Sequence, residues 1–132
     1  MLDKNEVEKM SYAYGRFYEI ENFIRLFISK NMHFLYGANW YEISYKKINN
    51  RRPVKSFDNL LFHELISTLK MYSDMNLLLI PKRLIMQLNY FTPIRNKIAH
   101  TIPLEENEYM FLLDIYKELD EFRINQGEPY HK

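Results

Sequence analysis

Cysteine is absent from the chain, which excludes a disulfide framework, a thiolate zinc site and a cysteine nucleophile, and which fits a reducing compartment. Glycine is scarce: Gly15, Gly37 and Gly127 are too far apart for a phosphate-cradling loop or a dinucleotide fingerprint. Long apolar runs are missing as well. Leu77 to Ile80 stops at Pro81, and Phe23 to Ile28 is broken by Arg25, against the roughly 20 apolar residues that a span requires. The start, Met1-Leu2-Asp3-Lys4-Asn5-Glu6, is polar and lacks the apolar stretch of a secretory leader. A soluble, cytoplasmic protein without membrane partners is therefore expected. Charge of one sign is missing too. The formal net charge is +1, so contact with nucleic acid would need a local basic patch.

Apolar and aromatic material is plentiful. The 132 residues are 47% hydrophobic and include 11 Tyr and 9 Phe, enough for one core and one domain. The expectation is a single helical domain over residues 1–125, with a flexible tail over 126–132 marked by Gly127 and Pro129. Phe17, Ile20, Ile24, Phe27 and Ile28 recur at helical spacing within a first helix from about Val7 to Phe34. A second stripe on it, Tyr14, Tyr18, Glu21 and Arg25, is aromatic and charged. Tyr36 to Asp58 loses the period and reads as a long structured loop with short helical or extended pieces.

A second helix is expected from Ser56 or Asp58, with Leu61, Leu65, Thr68, Leu69 and Tyr72 inward, then a turn near Ser73 to Asn76. Pro81 opens a helix through about Phe91, and Thr92-Pro93 reads as N-cap and first residue of another. After Pro103, the acidic turn Glu105, Glu106 and Glu108 begins a last helix that buries Leu112, Ile115, Tyr116, Leu119 and Phe122. The fold class is all-α, a compact bundle of about four to five helices.

Arg95-Asn96-Lys97-Ile98-Ala99-His100 carries the chemistry. A guanidinium can grip a phosphodiester through paired hydrogen bonds and stabilise its transition state. An imidazole can take a proton from a nucleophile or give one to a leaving group. With the 2′-OH of RNA as nucleophile, neither metal nor cofactor is needed. Asn96 lies one turn before His100 and can orient the ring or a phosphate oxygen. Residues five apart on a helix point about 140° apart. Arg95 and His100 thus converge only if Arg95 sits in a loose first turn, or if a second copy supplies the missing group. One His per motif also leaves in-line cleavage short of an acid or a base, which a symmetric dimer with apposed motif helices provides. On spacing alone the pair is weak, because such pairs arise readily by chance, and Arg95 on a carboxylate with His100 capping a helix end is then the better reading.

The string Ile94-Arg95-Asn96-Lys97-Ile98-Ala99-His100 resembles the Arg-polar-x3-His signature of HEPN ribonucleases. Tyr18 to Ile28, followed by Tyr36-Gly37-Ala38-Asn39-Trp40-Tyr41, resembles the first helix and Gly-x-x-Trp loop of the Swt-like HEPN branch. The order of features agrees over about residues 12 to 122. The resemblance implies a metal-independent endoribonuclease that leaves 2′,3′-cyclic phosphates. It would act as a homodimer in a toxin–antitoxin or abortive-infection system, with an antitoxin or effector partner possible. Arg95 and His100 carry over as catalytic, Asn96 as the polar motif residue, and Glu21 from the first helix. HEPN toxins paired with a nucleotidyltransferase follow the His with x-Tyr, whereas Thr101-Ile102 stand here, so that subclass is not implied. The alternative function is a non-catalytic HEPN module that binds RNA or a protein.

Four further features compete for attention. His63-Glu64-Leu65-Ile66-Ser67 begins like a zinc-protease helix, but Ser67 replaces the second His and no metal site is expected. His33 and His131 are isolated. Lys46, Lys47, Arg51, Arg52 and Lys55, joined by Arg25 of the first helix and interleaved with Tyr45, after Trp40 and Tyr41, suit RNA backbone and base stacking. A solvated loop anchored by its aromatics explains them equally well. The Tyr14 to Arg25 stripe fits a cleft wall or a dimer surface.

Overall fold

The structure, a computed structural model, describes residues 3–126, so all of the expected tail except Gln126 lies outside the described residues. Among the described residues five α-helices occur: α1 (Lys4–Tyr36), α2 (Trp40–Asn49), α3 (Phe62–Asp74), α4 (Lys82–Ala99) and α5 (Glu106–Asn125), with a 3-10 turn at Phe57–Asn59 before α3. No strand occurs among the described residues, and the fold is all-α. None of the described helices is long and apolar enough to cross a membrane. The chain divides into two units. One joins the chain up to Glu21 with the chain from Lys82, and the other is Asn22–Pro81; α1 contributes to both.

In the first unit α1 starts at a capped end, where the Asp3 carboxylate accepts the Glu6 N–H at 2.8 Å. Its Ala13, Phe17 and Ile20 are buried, as are Leu84, Ile85, Leu88, Phe91, Ile94 and Ile98 of α4 and Leu112, Ile115 and Leu119 of α5. Phe17 meets Phe91 at 6.1 Å between ring centres. α5 runs alongside α1 in the same direction: Lys9 pairs with Glu106, Tyr12 meets Tyr109, and the Tyr116 hydroxyl donates to Glu19 at 2.8 Å. α4 and α5 are antiparallel, tied by Lys97–Glu108 at 2.8 Å and Arg83–Glu118 at 2.9 Å.

The second unit has Trp40 as its hub, with Phe57 at 4.8 Å and Tyr72 at 6.4 Å. The Tyr72 hydroxyl bonds Ser44 Oγ at 2.6 Å, and burial pushes its pKa up to about 12. Gly37 turns the chain after α1 at φ +83°, a conformation that costs glycine least.

Three expectations need correction. The segment after Tyr36 contains the ten-residue helix α2, whose fully buried positions are Trp40 and Ser44 only, too few to print a helical period. Thr92-Pro93 does not start a helix, because α4 runs unbroken from Lys82 to Ala99 with Pro93 inside it. Proline there removes one N–H and crowds the Asn89 carbonyl, a cost of about 3 kcal/mol. Burial of Leu88, Phe91, Ile94 and Ile98 on either side of Pro93 opposes that cost. α3 also starts later than expected, at Phe62, after the 3-10 turn that follows Ser56.

Candidate functional site

The hexapeptide lies at the C-terminal end of α4, and its residues divide by exposure. Ile98 is buried; Arg95 and Lys97 are half-buried; Asn96, Ala99 and His100 are exposed. Lys97 belongs to the framework. Its Nζ meets Glu108 Oε1 at 2.8 Å, and the same oxygen accepts the Glu105 N–H at 2.9 Å, which closes the first turn of α5. Lys97 and the Glu105 N–H hold the Glu108 carboxyl below the usual carboxylate range, and Glu108 raises the Lys97 ammonium.

Arg95 is held differently. Its guanidinium lies 5.8 Å from the centre of the Phe17 ring. Its hydrogen bond is a long one, 3.4 Å from Nη1 to the Asn96 side-chain oxygen, while Nε is buried without a partner among the described residues. Other arginines are committed: Arg16 to Glu19, Arg83 to Glu118 and Arg123 to Asp120. Arg95 therefore lies over the Phe17 ring and is not neutralised by a carboxylate among the described residues. Glu21, half-buried, stands one turn beyond Phe17 on α1 and makes no ion pair with Arg95.

His100 ends the helix. Its N–H reaches the Asn96 carbonyl at 3.0 Å, Thr101 N–H reaches Ile98 O at 3.1 Å and Ile102 N–H reaches Lys97 O at 2.8 Å. That is the Schellman pattern, and it needs a left-handed residue after the cap. Thr101 fills the seat at φ +57°, costly for a β-branched residue. The His100 imidazole makes no hydrogen bond to another described residue. Beside this turn a cleft of about 390 Å³ is lined by Val7, Met10, Ser11, Tyr14, Ile98 and Thr101. Tyr14 and Tyr18 of the aromatic stripe are exposed, whereas Glu21 and Arg25 are half-buried.

The basic set belongs to the second unit. Lys46, Lys47, Arg51, Arg52 and Lys55 are exposed at the end of α2 and in the loop after it. Arg25 does structural work there, donating to the carbonyls of Phe57 at 3.2 Å and Leu60 at 2.6 Å, which fixes the 3-10 turn. Lys47 lies 5.8 Å from the Tyr36 ring centre. Lys55 meets Glu64 Oε1 at 2.8 Å, and that oxygen also accepts the Leu61 N–H at 2.9 Å. Lys55 and the Leu61 N–H hold the Glu64 carboxyl below its ordinary range. Glu64 is thus a helix-capping residue, and no three His, Asp or Glu side chains gather as a metal site among the described residues. The sequence could have announced the Glu64 and Glu108 caps, since each is a glutamate three residues into a helix start. It could not have announced Phe17 as the seat of Arg95.

No protein family, curated protein or solved structure matches this chain.

Proposed function

We propose that the chain is a metal-independent endoribonuclease of the HEPN type, cytoplasmic, and active as a homodimer whose motif helices face each other. The observation that carries this reading is Arg95, over the Phe17 ring and unpaired with any described carboxylate, on the helix that ends at the exposed His100. A cation so prepared suits a phosphodiester.

The unbroken α4 supports the second copy. Arg95 lies in the last turns of the helix, where the backbone is regular, so no loose first turn lets it swing toward His100. The exposed Tyr14 and Tyr18 and the apolar cleft beside Thr101 give α1 and α4 a surface of the composition that interfaces favour.

In the reaction, His100 of one copy takes the 2′-OH proton and the 2′ oxygen attacks phosphorus. The bond from phosphorus to the 5′ oxygen breaks, and protonated His100 of the second copy returns a proton to that oxygen. Arg95 of either copy binds the charged equatorial oxygens, and the products are a 2′,3′-cyclic phosphate and a 5′-OH. The test is cleavage of varied single-stranded RNAs in EDTA by wild type and by His100→Ala. The expected loss is at least about a hundredfold. A dimer that leaves all RNAs intact, or a mutant that cuts equally well, overturns the reading.

A further inference from the structure

A second cleft, of about 370 Å³, opens in the other unit and is lined by Tyr41, Tyr45, Lys55, His63, Glu64 and Ser67 among others. That volume is at the small end of the range for small-ligand sites. Tyr41 and Tyr45, one turn apart on α2, form an aromatic wall, their rings 5.8 Å apart and tilted by 60°. His63 and Ser67, one turn apart on α3, are exposed, and neither side chain hydrogen-bonds to another described residue. Glu64 uses Oε1 for Lys55 and Leu61, which leaves Oε2 free to accept.

Charge favours an anionic occupant. Residues 40–56 carry Lys46, Lys47, Arg51, Arg52 and Lys55 against Glu42 alone. The Lys55–Glu64 pair is exposed, and pairs of this kind contribute at most about 1 kcal/mol, so a phosphate can compete for the Lys55 ammonium. The residues that resembled half of a zinc site thus find another use.

We propose that this cleft takes one nucleotide of single-stranded RNA. The base stacks on Tyr45, meets Tyr41 at an angle and faces the polar edge formed by His63, Glu64 and Ser67, while the phosphate lies toward Lys55 and the Arg51-Arg52 pair. The proposal rests on the RNA reading above and adds a substrate-holding site on a different unit from Arg95 and His100. Stacking of this kind tolerates any base, so the site holds a strand without selecting its sequence.

The probe is a short 2′-O-methyl oligonucleotide, which lacks the nucleophile and cannot be cut. Trp40 is the only tryptophan and its ring is 5.5 Å from that of Tyr41, so its fluorescence reports on the cleft. Binding should change Trp40 emission. Tyr45→Ala should weaken binding roughly tenfold, and Ser67→Phe, which fills the cleft from an exposed position, should do so with the melting temperature unchanged. Wild-type affinity in both cleft variants, or binding seen by anisotropy without a Trp40 response, overturns the proposal. If RNA cleavage survives His100→Ala while the cleft variants lose binding, the nuclease reading fails and the nucleotide site stands. If cleavage needs His100 but the cleft variants bind normally, the nucleotide site alone is lost.

Discussion

Two regions of the molecule are built from the same pair of devices and differ in what the devices hold. Around α3, Glu64 caps the helix start and is joined by Lys55, while Asn76 fills the left-handed seat at the end, with Leu77 N–H on Tyr72 O at 2.9 Å. At the α4–α5 connection, Glu108 caps α5 and is joined by Lys97, while Thr101 fills the left-handed seat after α4. In the first case the cap lysine comes from a basic loop and the seat holds asparagine, which tolerates it. In the second, both devices close on one hexapeptide: Lys97 is inside it, and Thr101 follows it. The comparison teaches that the middle of the hexapeptide is framework, and that its ends, Arg95, Asn96 and His100, are what the framework presents.

The sharpest way to break that division is to substitute within it. Ile98 is 4% exposed whereas His100 is exposed. Ile98→Ala should cost about 3 kcal/mol in urea unfolding, and His100→Ala less than about 0.5 kcal/mol. Equal losses at the two positions would mean that His100 is part of the framework and that the division is false.

A smaller effect tests the two caps against each other. Both carboxyls are held below their ordinary pKa, so each contributes stability that is present above the unfolded-state value of about 4.3 and is lost as pH falls through the lower folded value. Glu64→Gln and Glu108→Gln should each lower the melting temperature at neutral pH and flatten its fall in acid. They should part in where the disturbance is felt: Glu108→Gln should shift the His100 ring resonances, and Glu64→Gln should leave them in place. If Glu108→Gln leaves them too, Lys97 does not hold the motif through α5.

What the sequence disclosed follows the range of the forces. Helical period disclosed the stripe Phe17 to Ile28 and the face Leu112, Ile115 and Leu119, because each is repeated burial on one helix. The turn at Asn76 was legible for a local reason, an asparagine where a left-handed residue is needed. α2 was not, since two buried positions carry it and its aromatics meet Phe57 and Tyr72 from distant segments. At Pro93 the local rule was right about the cost and silent about the packing that opposes it. The site divides in the same way: Arg95, Asn96 and His100 stood out as residue types, but no pattern reveals that Phe17 seats Arg95 or that Arg25 is bound to carbonyls 32 and 35 residues away.

The smallest effect isolates the left-handed seats. Threonine pays for this backbone with its β-branch, and asparagine does so much less. Thr101→Gly removes the steric cost but adds glycine's unfolded-state entropy, so the net gain should be about 0.5 kcal/mol. Asn76→Gly should be neutral within a few tenths. Denaturant midpoints of the two variants measure the difference directly. A Thr101→Gly variant no more stable than wild type would mean that the threonine is unstrained. A more stable variant with slower RNA cleavage would tie the strained seat to the positioning of His100, one residue before it, because relaxing the turn frees the imidazole along with the backbone.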